Sequence, residues 1–154
     1  MMIVSDYIEI LKIKRERFDN ELDRSCAMLS VYLDEDIETI EEKPIIEAQR
    51  LIYEMNNFLN KSYPVLECVP NDKILLENFI DLESYLQSPD DLGKCIAILF
   101  RNKMQNEWGH TIYEPVEFDL TERSGTLMNN DITLYLGGLN DYINFRQSVV
   151  DTYK

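Results

Sequence analysis

The sequence predicts a mainly α, compact multi-helix domain, and three observations lead to that class. Apolar residues recur at positions 22, 26, 29 and 33, at 37 and 40, and at 45, 48, 52, 55 and 59, each set forming one stripe of a 3.6-residue period. Ser88-Pro89-Asp90-Asp91 has the composition of a helix start, and Leu92 and Cys95 to Phe100 follow it with apolar residues on nearly every side. That helix belongs in the core. Five glycines and five prolines among 154 residues exclude a low-complexity or collagen-like chain.

The length suits one domain with a substantial core, read over residues 1–154. A helical N-terminal half is expected over 5–60, and a C-terminal half holding a hairpin and further helices over 62–153. Ser5 is positioned to cap a first helix carrying Tyr7, Ile8 and Leu11. Phe18, Leu22, Cys26, Leu29 and Leu33 mark the second, and Asp34 is expected to cap a short third through Ile37 and Ile40. Pro44 suits the first turn of a fourth, whose Ile45, Ala48, Ile52, Met55 and Leu59 should face inward.

Composition changes at Ser62-Tyr63-Pro64. Val65, Leu66, Cys68 and Val69, then a Pro70-Asn71-Asp72-Lys73 turn and Ile74-Leu75-Leu76, predict a short β-hairpin near residues 64–76. Two strands alone are marginal, so this hairpin would have to lie on the helices or pair with a partner strand. A helix is expected over Glu77 to Gln87, and Ser88 caps the core helix that follows, with Pro89 at its first position. Residues 104–115 read as a loop, Val116 to Leu127 as a helix, and Asp131 as the cap of a last helix through Val150. Gly137-Gly138 inside that helix costs about 1 kcal/mol per glycine, which close approach of another helix or a kink would explain.

Net charge is −14 and unevenly spread. Residues 1–33 carry five basic and six acidic groups, residues 34–91 four and fifteen, and residues 92–154 six and eight. This balance disfavours direct contact with nucleic acid or an anionic membrane. Asp34, Glu35, Asp36, Glu38, Glu41 and Glu42 form the densest acidic cluster. Such carboxylates either stabilise helix starts through the helix dipole or meet a basic partner. The apolar run Cys95 to Phe100 is too short to cross a bilayer, and Met1 to Asp6 lacks the features of a signal peptide. The chain therefore reads as cytosolic or as part of a soluble assembly.

Chemistry-bearing motifs are missing from the sequence. It contains no G-x-G-x-x-G, Walker loop or G-x-S-x-G. His110 is the one histidine, and nothing in the sequence sets a nucleophile beside it. Cys26, Cys68 and Cys95 are widely spaced and read as small buried hydrophobes, so neither a metal nor a cofactor is expected. Asp34-Glu35-Asp36-Ile37-Glu38 imitates the start of a calcium loop, but Thr39 stands where glycine is needed and Ile45 where the bidentate glutamate should be. Glu114, Glu117, Asp119 and Glu122 could serve a carboxylate-based enzyme, although that spacing is common on exposed helices.

Phe79-Ile80-Asp81-Leu82-Glu83, the apolar helix ending Ile98-Leu99-Phe100-Arg101, Tyr113-Glu114-Pro115, and Leu139-Asn140-Asp141-Tyr142-Ile143-Asn144-Phe145 follow one another in an order that resembles small helical proteins encoded among the structural genes of tailed bacteriophages. Asp6-Tyr7-Ile8-Glu9 and the stretch Leu29 to Glu38 are similar to the same group, whose members are regarded as tail-assembly chaperones or minor virion components. The resemblance implies a non-enzymatic role through contact with larger virion or tail proteins. Trp108, Tyr113 and Tyr153 are the expected apolar anchors, and Asp34, Asp36 and Glu38 the expected steering charges. The alternative reading is an acidic inhibitor that mimics nucleic acid and occupies the groove of a host enzyme.

Overall fold

The computed structural model describes residues 1–114 and 120–152. Helices α1 (Val4–Arg15), α2 (Glu21–Leu33), α3 (Ile37–Glu41) and α4 (Ile45–Asn60) make up the N-terminal half. Helices α5 (Leu76–Tyr85) and α6 (Leu92–Leu99), strands β1 (Lys103–Gln105) and β2 (Thr111–Tyr113), and helices α7 (Leu120–Leu127) and α8 (Thr133–Thr152) follow. The mainly α class with one short hairpin is as the sequence predicts. The hairpin itself lies at 103–113 rather than near 64–76.

Helix α6 is the centre of the core. Leu92, Gly93, Cys95, Ile96, Ala97, Ile98 and Leu99 are all buried, and the helix packs against α5, α7 and α8. Burial pushes the Cys95 thiol up to about 12, with Asp91 adding to the shift, so it stays a neutral apolar group. The amphipathic stripes of α2 and α4 close over this core through Met28 and Leu29, and through Ala48 and Met55. Leu22 and Ile45, expected inside, are 53% and 59% exposed. Each stands in the first turn of its helix, before the buried stripe begins.

The helix starts show how local chemistry was satisfied. Ser5 does not cap α1; it is the second helical residue, and Ile3 is the cap position. The orphan N–H groups of that first turn are instead taken by the turn after α7, with Val4 N donating to the Asn130 carbonyl at 2.9 Å and Ser5 N to that of Met128 at 3.0 Å. Ile132 N returns a bond to Met2, so the first residues of the chain are tied to the C-terminal half. Asn20 caps α2 by accepting from Asp23 N. Asp34 ends α2 instead of starting α3: its φ of 54° is left-handed, and its N–H returns to Ser30 and Val31. Ser88 makes no side-chain cap, because a 3₁₀ turn over Pro89–Asp91 intervenes before α6. Asp131 does act at the start of α8, its Oδ1 accepting from Thr133 N and Oγ1.

Residues 64–76 form no strand pair. Pro64 and Pro70 lack the N–H a ladder needs, Asn71–Lys73 is a 3₁₀ turn, and Leu76 already begins α5. The segment is a strap across α8, which explains the paired glycines. A Cβ at Gly137 would overlap the backbone carbonyl of Pro64, and one at Gly138 would stand 2.6 Å from Cζ of Phe100. The close approach is therefore by a loop backbone and an aromatic ring, not by another helix. Val69 N donates to the Leu99 carbonyl at 2.8 Å and fixes the far end of the strap to α6. Helix α7 is described only from Leu120, so the expected start at Val116 lies outside the described residues.

Candidate docking site

The 103–113 hairpin is made by its turn. Asn106 Oδ1 accepts from Trp108 N and His110 N, both at 3.0 Å, and Gly109 takes a φ of 78°. With Asn106 N bonded to the His110 carbonyl, the three-residue loop Glu107-Trp108-Gly109 has glycine at the left-handed position that such loops require. Register pairs Lys103 with Tyr113, Met104 with Ile112 and Gln105 with Thr111.

The alternation of an antiparallel ladder then decides which groups are used. Asn102 with Glu114 and Asn106 with His110 are hydrogen-bonded pairs, so Met104 with Ile112 is the one between them. Lys103, Gln105, Thr111 and Tyr113 therefore turn their N–H and C=O groups away from the partner strand. None of these groups has another partner among the described residues. Among the described residues both edges of the ribbon are open, the arrangement that invites a further strand. Met104 and Ile112 share one face and are 45% and 36% exposed, and Trp108 at the tip is 73% exposed.

A cleft of about 430 Å³ runs beside β2. Thr111, Ile112 and Tyr113 form one wall, Pro70, Lys73 and Leu75 the other, and Arg101 and Lys103 complete it. Among the described residues, three cations and no carboxylate line this cleft, in a chain with 29 acidic residues and 15 basic ones. Arg101 is 8% exposed. Its Nε donates to the Ile98 carbonyl at 2.8 Å and its Nη1 to the Glu114 carbonyl at 3.2 Å, while Nη2 has no acceptor among the described residues. Burial lowers the pKa of this guanidinium, which nevertheless remains cationic.

Surrounding charges hold the site in shape. Glu114 pairs with Arg123, and that contact holds its carboxyl below the usual range. Lys103 Nζ lies 3.1 Å from Glu67, which raises the lysine pKa. Lys73 makes no ion pair among the described residues, so its ammonium is available at the cleft wall.

Of the expected contact residues, Trp108 and Tyr113 fall on the hairpin, the former exposed at its tip and the latter half-buried at the cleft. Tyr153 lies outside the described residues. Asp34, Asp36 and Glu38 are exposed at the α2–α3 junction, where Asp34 also serves as the left-handed end of α2 and Asp36 as the cap position of α3. His110 is exposed in the hairpin loop. Lys73, Arg101, Leu75 and Ile112 were not singled out from sequence; the available signal was Asn106 and Gly109 flanking a short alternating stretch. Among the described residues no group of histidine, cysteine and carboxylate side chains is arranged to hold a metal ion, and no helix is long and apolar enough to cross a membrane. Comparison with known protein families, curated proteins and solved structures finds no match.

Proposed function

We propose that this protein is a non-enzymatic structural or assembly component that works by protein–protein contact, with the 103–113 hairpin as its docking element. The observation that carries the reading is a ribbon whose two backbone edges are unpaired among the described residues, with an exposed tryptophan at its tip. Unpaired edges offer a template for another strand, and a large exposed aromatic is effective at an interface, where tryptophan is among the commonest energetic anchors. The resemblance to small helical proteins of tailed bacteriophages supports a virion or tail protein as the partner. In this reading the helical body supplies rigidity, the hairpin supplies contact area, and the exposed carboxylates of Asp34, Asp36 and Glu38 raise the rate of encounter with a basic surface.

The test is affinity capture from the native source with the intact chain and with Trp108→Ala. Recovery of large particle proteins in a fixed ratio by the intact chain, and their loss with the variant, is the expected result. Capture of a nucleic-acid enzyme that vanishes as salt rises, and that survives Trp108→Ala but not Asp34→Asn with Asp36→Asn, would replace this reading with an acidic mimic of nucleic acid.

A further inference from the structure

The cleft beside β2 has a charge opposite to that of the protein as a whole. Lys73, Arg101 and Lys103 converge on it from the 70–75 strap, the end of α6 and β1. Arg101 is the informative member. A guanidinium that is 8% exposed and bonded, among the described residues, only to two neutral carbonyls leaves a positive charge beside an open cavity. A charge taken so far out of water is destabilising unless an anion approaches it. The neighbouring Glu114 carboxylate attracts Arg101 through space but makes its direct ion pair with Arg123, so Arg101 has no direct ion pair among the described residues.

A second feature of the same cleft limits the kind of anion. Thr111 and Tyr113 present unpaired backbone N–H and C=O groups along β2, with the spacing of alternate residues on a strand. A free phosphate or a nucleotide would leave most of them unused. An extended peptide would engage both, while placing side chains alternately toward the apolar Leu75 and Ile112 and toward the cations. The volume of about 430 Å³ lies in the range of small-ligand pockets, enough for a few residues of extended chain.

We propose that this cleft receives an extended acidic segment of the partner, which adds a third strand to β2 and sets a carboxylate against Arg101 and Lys73. The proposal rests on the docking reading and makes it specific: the main chain of the incoming strand supplies affinity, and the carboxylate fixes its register. The three cations of this cleft, in a strongly acidic molecule, also give an acidic segment attraction at short range.

The experiment is selection of random short peptides against the full chain, followed by affinity measurement of the recovered sequences. Arg101→Ala removes a buried group and could unfold its surroundings, so the variants used are Lys73→Glu and Ile112→Asp, both at solvent-accessible positions. The expected binders carry aspartate or glutamate alternating with β-branched or other apolar residues. Lys73→Glu should weaken them by about tenfold or more, and binding should slow hydrogen exchange at Thr111 and Tyr113. Recovery of neutral or basic peptides, recovery of none, affinity unchanged by both variants, or preferential binding of a short oligothymidylate would each overturn the proposal. The docking reading fails separately: if Trp108→Ala abolishes capture of particle proteins while Lys73→Glu leaves it intact, the hairpin docks but the cleft does not take a strand.

Discussion

The α6–α8 centre and the 103–113 hairpin satisfy their backbones in opposite ways. In the centre, α6 is buried along its length, and the Tyr63–Pro64 backbone presses onto Gly137 and the Phe100 ring onto Gly138 so closely that no side chain fits between. The hairpin has one inner ladder, two edges unpaired among the described residues, and exposed Met104, Trp108 and Ile112. Packing decides the first region and turn chemistry decides the second. A region held by a three-residue loop and by anchors at its base keeps its shape while leaving contact groups unspent, which is what a docking element needs.

Substitutions that separate the two regions should differ most in global stability. Ile96→Ala, at a position with no exposure, should lower unfolding free energy by about 2–5 kcal/mol in urea titration. A much smaller loss would mean that α6 is not the packed centre. Gly137→Ala comes next. Helix propensity favours alanine by about 1 kcal/mol, but overlap with the Pro64 carbonyl should reverse the sign and give a net loss of about 1–3 kcal/mol. Net stabilisation would show that the strap is not seated on α8.

Gly109→Ala should cost roughly 1 kcal/mol, because its φ of 78° is a left-handed position. Its effect should appear as faster hydrogen exchange in the hairpin with the urea midpoint of the helices nearly unchanged. A comparable loss throughout the chain would show that the two regions unfold as one unit.

The Glu114–Arg123 contact gives the hairpin base a pH dependence. Glu114 has its pKa lowered on folding, so its contribution is fully present above the unfolded value and is lost as pH falls through the folded one. Hairpin chemical shifts should therefore change in the acid range below the ordinary carboxylate pKa, and Glu114→Gln should remove that change. Persistence of the same transition in the variant would assign it to another group. The smallest stability effect belongs to Trp108→Ala, expected within about 0.5 kcal/mol because the ring is 73% exposed. A larger loss would place Trp108 in the fold and not at an interface.

Much of the helical body was legible because burial imposes a long, repeated pattern. The stripe from Ala48 to Met55 and the mostly apolar α6 each span about two turns, so the period shows through individual exceptions such as Ile45. The hairpin escaped because strands of three residues contain too little alternation to register, whereas Val65 to Val69 supplied apolar residues without the backbone donors that Pro64 and Pro70 deny. Helix starts were misplaced where a distant carbonyl did the work of a side chain, as Met128 and Asn130 do for α1. The cleft was hidden for a different reason: Lys73 stands apart in sequence from Arg101 and Lys103, and only the seating of the strap on α6 and α8 brings them together.

The most direct measurement is hydrogen exchange at individual amides, in the free protein and in the complex captured from its native source. Thr111 and Tyr113 should exchange close to the rate of an open chain in the free protein and slow markedly in the complex, while Ile96 and Leu99 stay protected in both. Thr111 and Tyr113 protected already in the free protein, or equally fast in the complex, would contradict the assignment of the hairpin as the docking element.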